Sequence, residues 1–253
     1  MSKKIKVRVA LVANTTWNIF NFRQNVIEKL LEKDCEVFVL APIDAYIEYK
    51  ERFPSVTHFN LRTLDRDSTN PFKDIILIEE LRRKYKIIKP DLIIHYTHKP
   101  NIFGSIAAKI NGIKSVAVIT GLGYSFINKG FINSITEFLY KYTSKYHELF
   151  IFENTDDKRL FIEKGLIDSK KAFSVKGCGV DINHYKSQID PQHHQKDQIV
   201  FTFIGRLLKD KGIEEFASAA SKIKSKYDNV KFVVLGDFDG ENPSTIDRDE
   251  LLT

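Results

Sequence analysis

The chain has 253 residues, 43% of them hydrophobic and 12% aromatic, which is enough apolar surface for a substantial core and too much for a disordered chain. Two cysteines, Cys35 and Cys178, lie far apart without metal-ligand spacing, which excludes a disulfide framework or zinc site and points to a reducing compartment. The formal net charge of +6 favours acidic partners, whether nucleotides, anionic lipids or nucleic acids, without choosing among them.

Residues 5–13 read as a buried first strand. The apolar run 7–13 contains Arg8 and leads into polar residues, so it is not an export signal. No apolar run is long enough to span a bilayer. The expectation is a cytoplasmic protein, either soluble or peripheral at the inner face of the cell membrane. An amphipathic helix follows over 21–33, then a strand over 36–41 closed by Pro42. Residues 45–53 read as helix, with a short strand near His58. A helix over 71–85 ends at the Lys89-Pro90 step, and 91–96 (DLIIHY) is a strongly apolar strand. Residues 102–111 form an Ala-rich helix stopped by Gly112. Strands follow at 115–120 and 149–153.

Continuous apolar strands imply a parallel sheet covered on both faces. The βα repeat predicts an α/β, doubly wound Rossmann-like domain with functional loops at the C-terminal strand ends. Residues 187–198 (SQIDPQHHQKDQ) are polar and aperiodic, as a linker would be. A fresh βαβ unit then begins: strand 199–204, helix 213–227, strand 230–235. One βαβ unit cannot bury both faces of its sheet. The expected organisation is a domain over 1–186, a linker over 187–198 and an incomplete second domain over 199–253. That second part should be less ordered than the first, or covered by a partner.

The turn after the first strand (Ala13 to Trp17) has no glycine, against a dinucleotide site, and no phosphate loop or nucleophile elbow occurs. The segment Gly205-Arg206-Leu207-Leu208-Lys209-Asp210-Lys211-Gly212 follows a strand and opens a helix. Arg206 and Lys211 can converge there on one anion, aided by N–H groups at the helix start; the bland alternative is a solvated basic turn. His98 sits at a strand end, where this fold carries ligands, while His95 belongs to the core. Gly121, Gly123 and Gly179 suit positive-φ turns. Asp156 and Asp157 suit a helix N-terminus. Arg23 reads most simply as an exposed helix residue. Over 123–147, Phe131, Ile135, Phe138, Leu139 and Tyr142 recur at helical spacing. A helix packed on its sheet with a solvated Lys face is the plain reading; the preceding loop suits a membrane interface.

Six segments in order give the chain a resemblance to the family-four retaining glycosyltransferases of GT-B fold. GRLLKDKGI resembles their GR-x(4)-KG signature. Gly177-Cys178-Gly179-Val180-Asp181, with Tyr185 in place of Phe, resembles their GxGVDxxxF crossover. Asn154 to Asp157 resembles a helix start that follows the first domain's last strand. His95 to Asn101 (HYTHKPN) resembles an H-T-H-K-P loop of bacterial polysaccharide enzymes. Thr120 to Gly123 resembles an active-site loop, and residues 18–23 (NIFNFR) an acceptor-side loop.

The resemblance implies a sugar-nucleotide donor, a lipid-linked acceptor in surface polysaccharide synthesis, and retention of configuration. It implies no cofactor, no metal and no nucleic acid. Arg206 and Lys211 would grip the donor diphosphate and His98 would contact the sugar or its phosphate. Asn18, Arg23, Gly121, Gly123, Gly179, Asp181 and Gly205 would line the substrate site. The family's E-x(7)-E segment should lie well beyond residue 253, so the chain is expected to be a fragment with weak or no activity of its own. A sugar-nucleotide epimerase and a non-catalytic half-transferase partner are the alternatives.

Overall fold

The structure, a computed structural model, describes residues 6–65, 68–122, 126, 131–183, 185, 198–238 and 244–246. The chain divides into two compact units, Met1–Lys186 and Ser187–Thr253.

In the first unit, seven strands form one sheet in the order β3-β2-β1-β4-β5-β6-β7. They are β1 (Arg8–Val12), β2 (Glu36–Ala41), β3 (Thr57–Asn60), β4 (Leu92–Tyr96), β5 (Lys114–Ile119), β6 (Leu149–Phe152) and β7 (Ala172–Ser174). Every pairing is parallel. Along β1, Val9 and Leu11 enter one core with Ile19, Ile27 and Tyr49, while Ala10 and Val12 enter another with Leu77, Leu81 and Tyr85. Successive strand residues face opposite sides, so a strand buried on both faces has to be apolar throughout. Among the described residues the α-helices are α1 (Thr16–Phe22), α2 (Gln24–Glu32), α3 (Tyr49–Arg52), α4 (Pro71–Ile88), α5 (Ser105–Ile110), α6 (Phe131–Thr143) and α7 (Thr155–Glu163).

Local chemistry moves several boundaries. The helix expected over 21–33 is two helices. Thr15 caps α1 by accepting from the Asn18 N–H at 3.1 Å, and Arg23, at φ −122 and ψ 0, breaks the run. The NIFNFR segment is therefore helical rather than a loop. At the far end of α4, Lys89 takes φ 48 and its N–H caps the Tyr85 carbonyl, which carries the helix to Ile88. The short edge strand β7 has no periodic signal in the sequence. In α6 the apolar periodicity misleads: Tyr140 and Leu139 pack inward, whereas Ile135, Phe138 and Tyr142 are exposed. The side facing solvent thus carries apolar and aromatic groups beside the exposed Lys141.

His95 lies in the core as expected, hydrogen-bonded through Nε2 to the Tyr85 hydroxyl at 2.9 Å. Gly104 makes this possible, because a Cβ there would stand 2.5 Å from that nitrogen. The His147 ring lies 5.6 Å away, held by Ser115 Oγ at 3.0 Å and the Asn101 carbonyl at 2.8 Å. Burial pushes His147 down to about 4 and pushes His95 the same way. A neutral buried histidine resists the proton that the unfolded chain accepts near pH 6.5, so stability is full above that pH and falls on acidification. His147 alone should cost roughly 2 kcal/mol at pH 5, being about 1.5 pH units below the unfolded value at about 1.36 kcal/mol each. Urea unfolding of His147→Gln and wild type at pH 7.5 and pH 5 measures it. The variant should lose clearly less stability between the two, and equal losses would remove His147 as the cause.

The second unit pairs β8 (Ile199–Ile204) with β9 (Val230–Leu235) in parallel, joined through α8 (Ile213–Lys224). Phe203 and Phe232 pack against Phe216 of α8, each pair with ring centroids 5.6 Å apart. On the opposite sheet face Val200, Ile204 and Leu235 are exposed. Among the described residues this is the sheet face that α8 does not cover.

Candidate functional site

Strand order reverses between β1 and β4, and in doubly wound sheets the crevice at such a switch point, at the C-terminal strand ends, receives ligands. Two stretches with predicted site residues flank it: the segment after β1, with Asn18 and Arg23, and the loop after β4, with His98.

The structure brings Asn18 and Arg23 into direct contact. Arg23 is no exposed helix residue; it is 4% exposed. Its Nε donates to Asn18 Oδ1 at 3.2 Å and its Nη1 to Glu153 Oε1 at 2.8 Å. The guanidinium carbon also sits 4.3 Å from the centre of the Tyr96 ring. Glu153 follows β6, and its carbonyl accepts from the Gly177 N–H at 2.9 Å. One buried ion pair therefore joins the start of α1, the end of β4 and the segment that leads to Gly179.

After β4 the backbone is strained. Thr97 takes φ +70, costly for a β-branched residue, and its buried hydroxyl has no partner among the described residues. A π-helical turn, Pro100–Gly104, follows. Such turns collect at functional positions. Lys99 pairs with Asp74 at the start of α4, 2.8 Å apart, which leaves His98 as the loop's candidate group. His98 is half-buried, with Nδ1 2.9 Å from the Tyr140 hydroxyl and the ring stacked on Phe126. Burial lowers its pKa, while a hydrogen bond to the Leu122 carbonyl opposes that shift, so the ring is neutral near pH 7. Gly121, beside Leu122, has φ +129 with open space where a Cβ would stand. Gly123 lies outside the described residues.

Gly179 and Asp181 line a different place. A cleft of about 910 Å³ opens beside the α1–α2 junction and α3, walled by Phe20, Phe22, Gln24, Tyr49 and Arg52. Gly179 has φ +81, and Asp181 faces Arg52 Nη2 at 3.9 Å and accepts from the Asn183 N–H at 3.0 Å. His98 and Arg23 are not among the residues lining it. Asn154 caps α7 by accepting from the Asp157 N–H at 2.7 Å, so Asp156 and Asp157 sit at a helix start.

In the second unit, Gly205 directly follows β8 and the loop runs through a 3₁₀ turn, Lys209–Lys211, into α8. Leu207 and Leu208 are buried, which anchors the loop, while Arg206 and Lys211 face outward. Lys209 is held by Glu214 at 2.8 Å. Gly236, after β9, escaped the sequence reading. Any Cβ there would stand 1.8 Å from the Gly205 carbonyl oxygen, so only glycine fits. Tyr140, Glu153 and Gly104 also escaped, because each matters only through contacts distant in sequence.

A doubly wound parallel sheet followed by a second βαβ unit with a basic strand-to-helix loop defines an α/β fold of the GT-B class. The chain belongs to the family described as Glycosyl transferase 4-like, which matches residues 8–154, and residues 185–249 match Glycosyl transferases group 1. It is 28% identical over 256 aligned residues to the N,N'-diacetylbacillosaminyl-diphospho-undecaprenol alpha-1,3-N-acetylgalactosaminyltransferase of Campylobacter jejuni, covering 94% of this chain and 65% of that protein. It is 26% identical to the UDP-Gal:alpha-D-GlcNAc-diphosphoundecaprenol alpha-1,3-galactosyltransferase of Escherichia coli, covering 72% of this chain and 49% of that one. Among solved structures, Anabaena HepE in complex with UDP-glucose is similar in fold, with TM-score 0.68, 14% identity, and coverage of 97% of this chain and 63% of that one. The chain spans less than two-thirds of the length of these relatives.

Proposed function

We propose that this chain carries the first domain and the diphosphate-gripping loop of a retaining glycosyltransferase. The enzyme moves a sugar from a UDP- or GDP-sugar to a hydroxyl of a lipid-linked glycan. The observation that carries the reading is the loop from Gly205 to Gly212, with both cations outward and the intervening leucines buried. Arg206 and Lys211 oppose the negative charge that grows on the diphosphate as the glycosidic bond breaks, and fixed charges of this kind need no reorganisation during the reaction. His98, neutral and strand-anchored, hydrogen-bonds the sugar. Arg23 holds Asn18 and Tyr96 in place and acts by positioning, since its own guanidinium is already engaged.

Product analysis in a polypeptide of the length of the Campylobacter jejuni relative tests this. UDP- and GDP-sugars are offered with undecaprenyl-diphosphate-linked acceptors. An α-linked lipid product of unchanged anomeric configuration is expected; an epimerised sugar nucleotide without any lipid product overturns it. In the same assay EDTA should leave the rate within about twofold, because the two cations take the place of a divalent ion. Complete, magnesium-reversible loss would show that a metal carries the leaving-group charge.

A lipid-linked acceptor places the enzyme at a bilayer. No described helix is long and apolar enough to cross one, so contact would be peripheral. The outer face of α6 suits that role. Ile135, Phe138 and Tyr142 are exposed there, and Lys145 Nζ lies 4.4 Å from the centre of the Tyr142 ring. Apolar and aromatic groups beside lysines are the make-up of a helix lying in an anionic interface. Sedimentation with phosphatidylglycerol vesicles should show binding that falls about tenfold in Phe138→Ser/Tyr142→Ser, from the apolar area withdrawn. Undiminished binding in that variant would place the contact elsewhere.

A further inference from the structure

The cleft beside the α1–α2 junction lies wholly within the first unit, and hydrogen bonds hold its walls in place. Arg52 of α3 donates through Nη1 to Gln24 Oε1 at 3.2 Å and through Nη2 to Glu28 Oε1 at 3.4 Å, and it faces Asp181 at 3.9 Å. Gln24 Nε2 in turn donates to the Phe20 carbonyl at 2.7 Å. These bonds tie α1, α2, α3 and the segment after β7 into one rim. At about 910 Å³ the cleft matches pockets that take small ligands, roughly 300–1,000 Å³. Its charge narrows the choice of ligand. Among the described lining residues Glu48, Glu51 and Asp181 are acidic and Arg52 alone is basic, with its guanidinium already engaged. A nucleotide or a diphosphate would meet net negative charge there. The lining also presents the rings of Phe20, Phe22 and Tyr185 and the amide of Asn25.

We propose that this cleft binds neutral sugar units of the acceptor glycan, with pyranose faces against its aromatic rings and hydroxyls hydrogen-bonded by Asn25, Glu48 and Glu51. That the sugar belongs to an acceptor rests on the reading of the chain as part of a glycosyltransferase; the preference for a neutral saccharide rests on the lining alone. A pyranose carries C–H bonds on its faces and hydroxyls around its edge. The C–H faces suit the negative face of an aromatic ring, while each hydroxyl can donate to a carboxylate and either donate to or accept from an amide. A prenyl chain would instead strip water from the carboxylates and return no hydrogen bond. Asp181 accepts from the Asn183 N–H at 3.0 Å, which fixes its carboxylate at the rim opposite Arg52. No motif marks Asn25, Glu48 or Glu51, which share a wall because Arg52 ties α3 to α2.

The test uses the 253-residue chain itself, which has a single tryptophan. The Trp17 ring meets Phe22 edge-on at 5.1 Å, so its fluorescence reports on the cleft wall. The probes are free, unphosphorylated di- and trisaccharides of glucose, galactose, N-acetylglucosamine and N-acetylgalactosamine. At least one should change the Trp17 emission saturably and shift the amide signals of Gln24, Asn25, Arg52 and Asp181. UDP and GDP should leave those signals in place. Tyr185→Ala should weaken the binding about fivefold through the lost ring contact, and Asn25→Ala should weaken it too. The proposal is overturned if no saccharide in the panel shifts the cleft signals, if UDP displaces the saccharide from them, or if a folded Asn25→Ala/Tyr185→Ala chain binds like wild type. None of these readouts depends on sugar transfer. Saccharide binding here without a lipid product from the longer polypeptide would sink the transferase reading and leave the sugar site standing. A lipid product with a cleft that no saccharide shifts would do the reverse.

Discussion

Glu153→Ala should lower the stability of the first unit by about 3–5 kcal/mol, the usual consequence of leaving one member of a buried ion pair alone. Arg23 is the member left behind, 4% exposed, with Asn18 and the Tyr96 ring still beside its guanidinium. Neither carries a compensating charge. Arg23→Met should cost less, because Glu153 is 16% exposed and can recruit water. Arg23→Met with Glu153→Leu should recover much of the loss, since two apolar groups of similar size leave no unpaired charge. Urea unfolding at neutral pH measures all three, and the Glu153→Ala melting temperature should drop by roughly 10 °C. Stability within about 0.5 kcal/mol of wild type in Glu153→Ala would mean that water reaches Arg23 and the pair is a surface contact.

Arg206→Ala and Lys211→Ala should each cut turnover about a hundredfold or more in a transferring enzyme that contains this loop. The figure is typical for removing one fixed donor from a developing anion. On the roles proposed for them the loss should fall on the chemical step, because the charge that both cations would face grows as the sugar leaves. Lys222→Ala, on the body of α8, is the control. If it and the two loop variants all turn over like wild type, the loop is the solvated basic turn that its composition also allows.

The fold was legible because its main determinants are local. Apolar runs such as Val9 to Val12 and Ile93 to Tyr96 specify buried parallel strands. Asn154 and Gly112 mark helix ends. The basic loop after β8 reads off directly, since both cations and the strand that positions them lie within a few residues. The division of the chain after Lys186 coincides with a change in composition.

Other features needed distant parts of the chain. α6 has apolar residues on both sides, so its periodicity alone could not say that Tyr140 turns inward and Phe138 outward; the sheet beneath it decided that. Arg23 looks like any basic residue on an amphipathic helix until the sheet places Glu153, 130 positions later, against its guanidinium. Gly236 and Gly104 look optional until the Gly205 carbonyl and the His95 ring occupy the space a Cβ would need. His98 stood out in the sequence as a strand-end residue, but its partner Tyr140, 42 positions later, did not. That pairing depends on α6 being packed against the loop after β4. Short-range patterning specifies which elements form and where the charged loops lie, because both follow from neighbouring residues. Burial and partner choice depend on contacts that exist only once the sheet has closed.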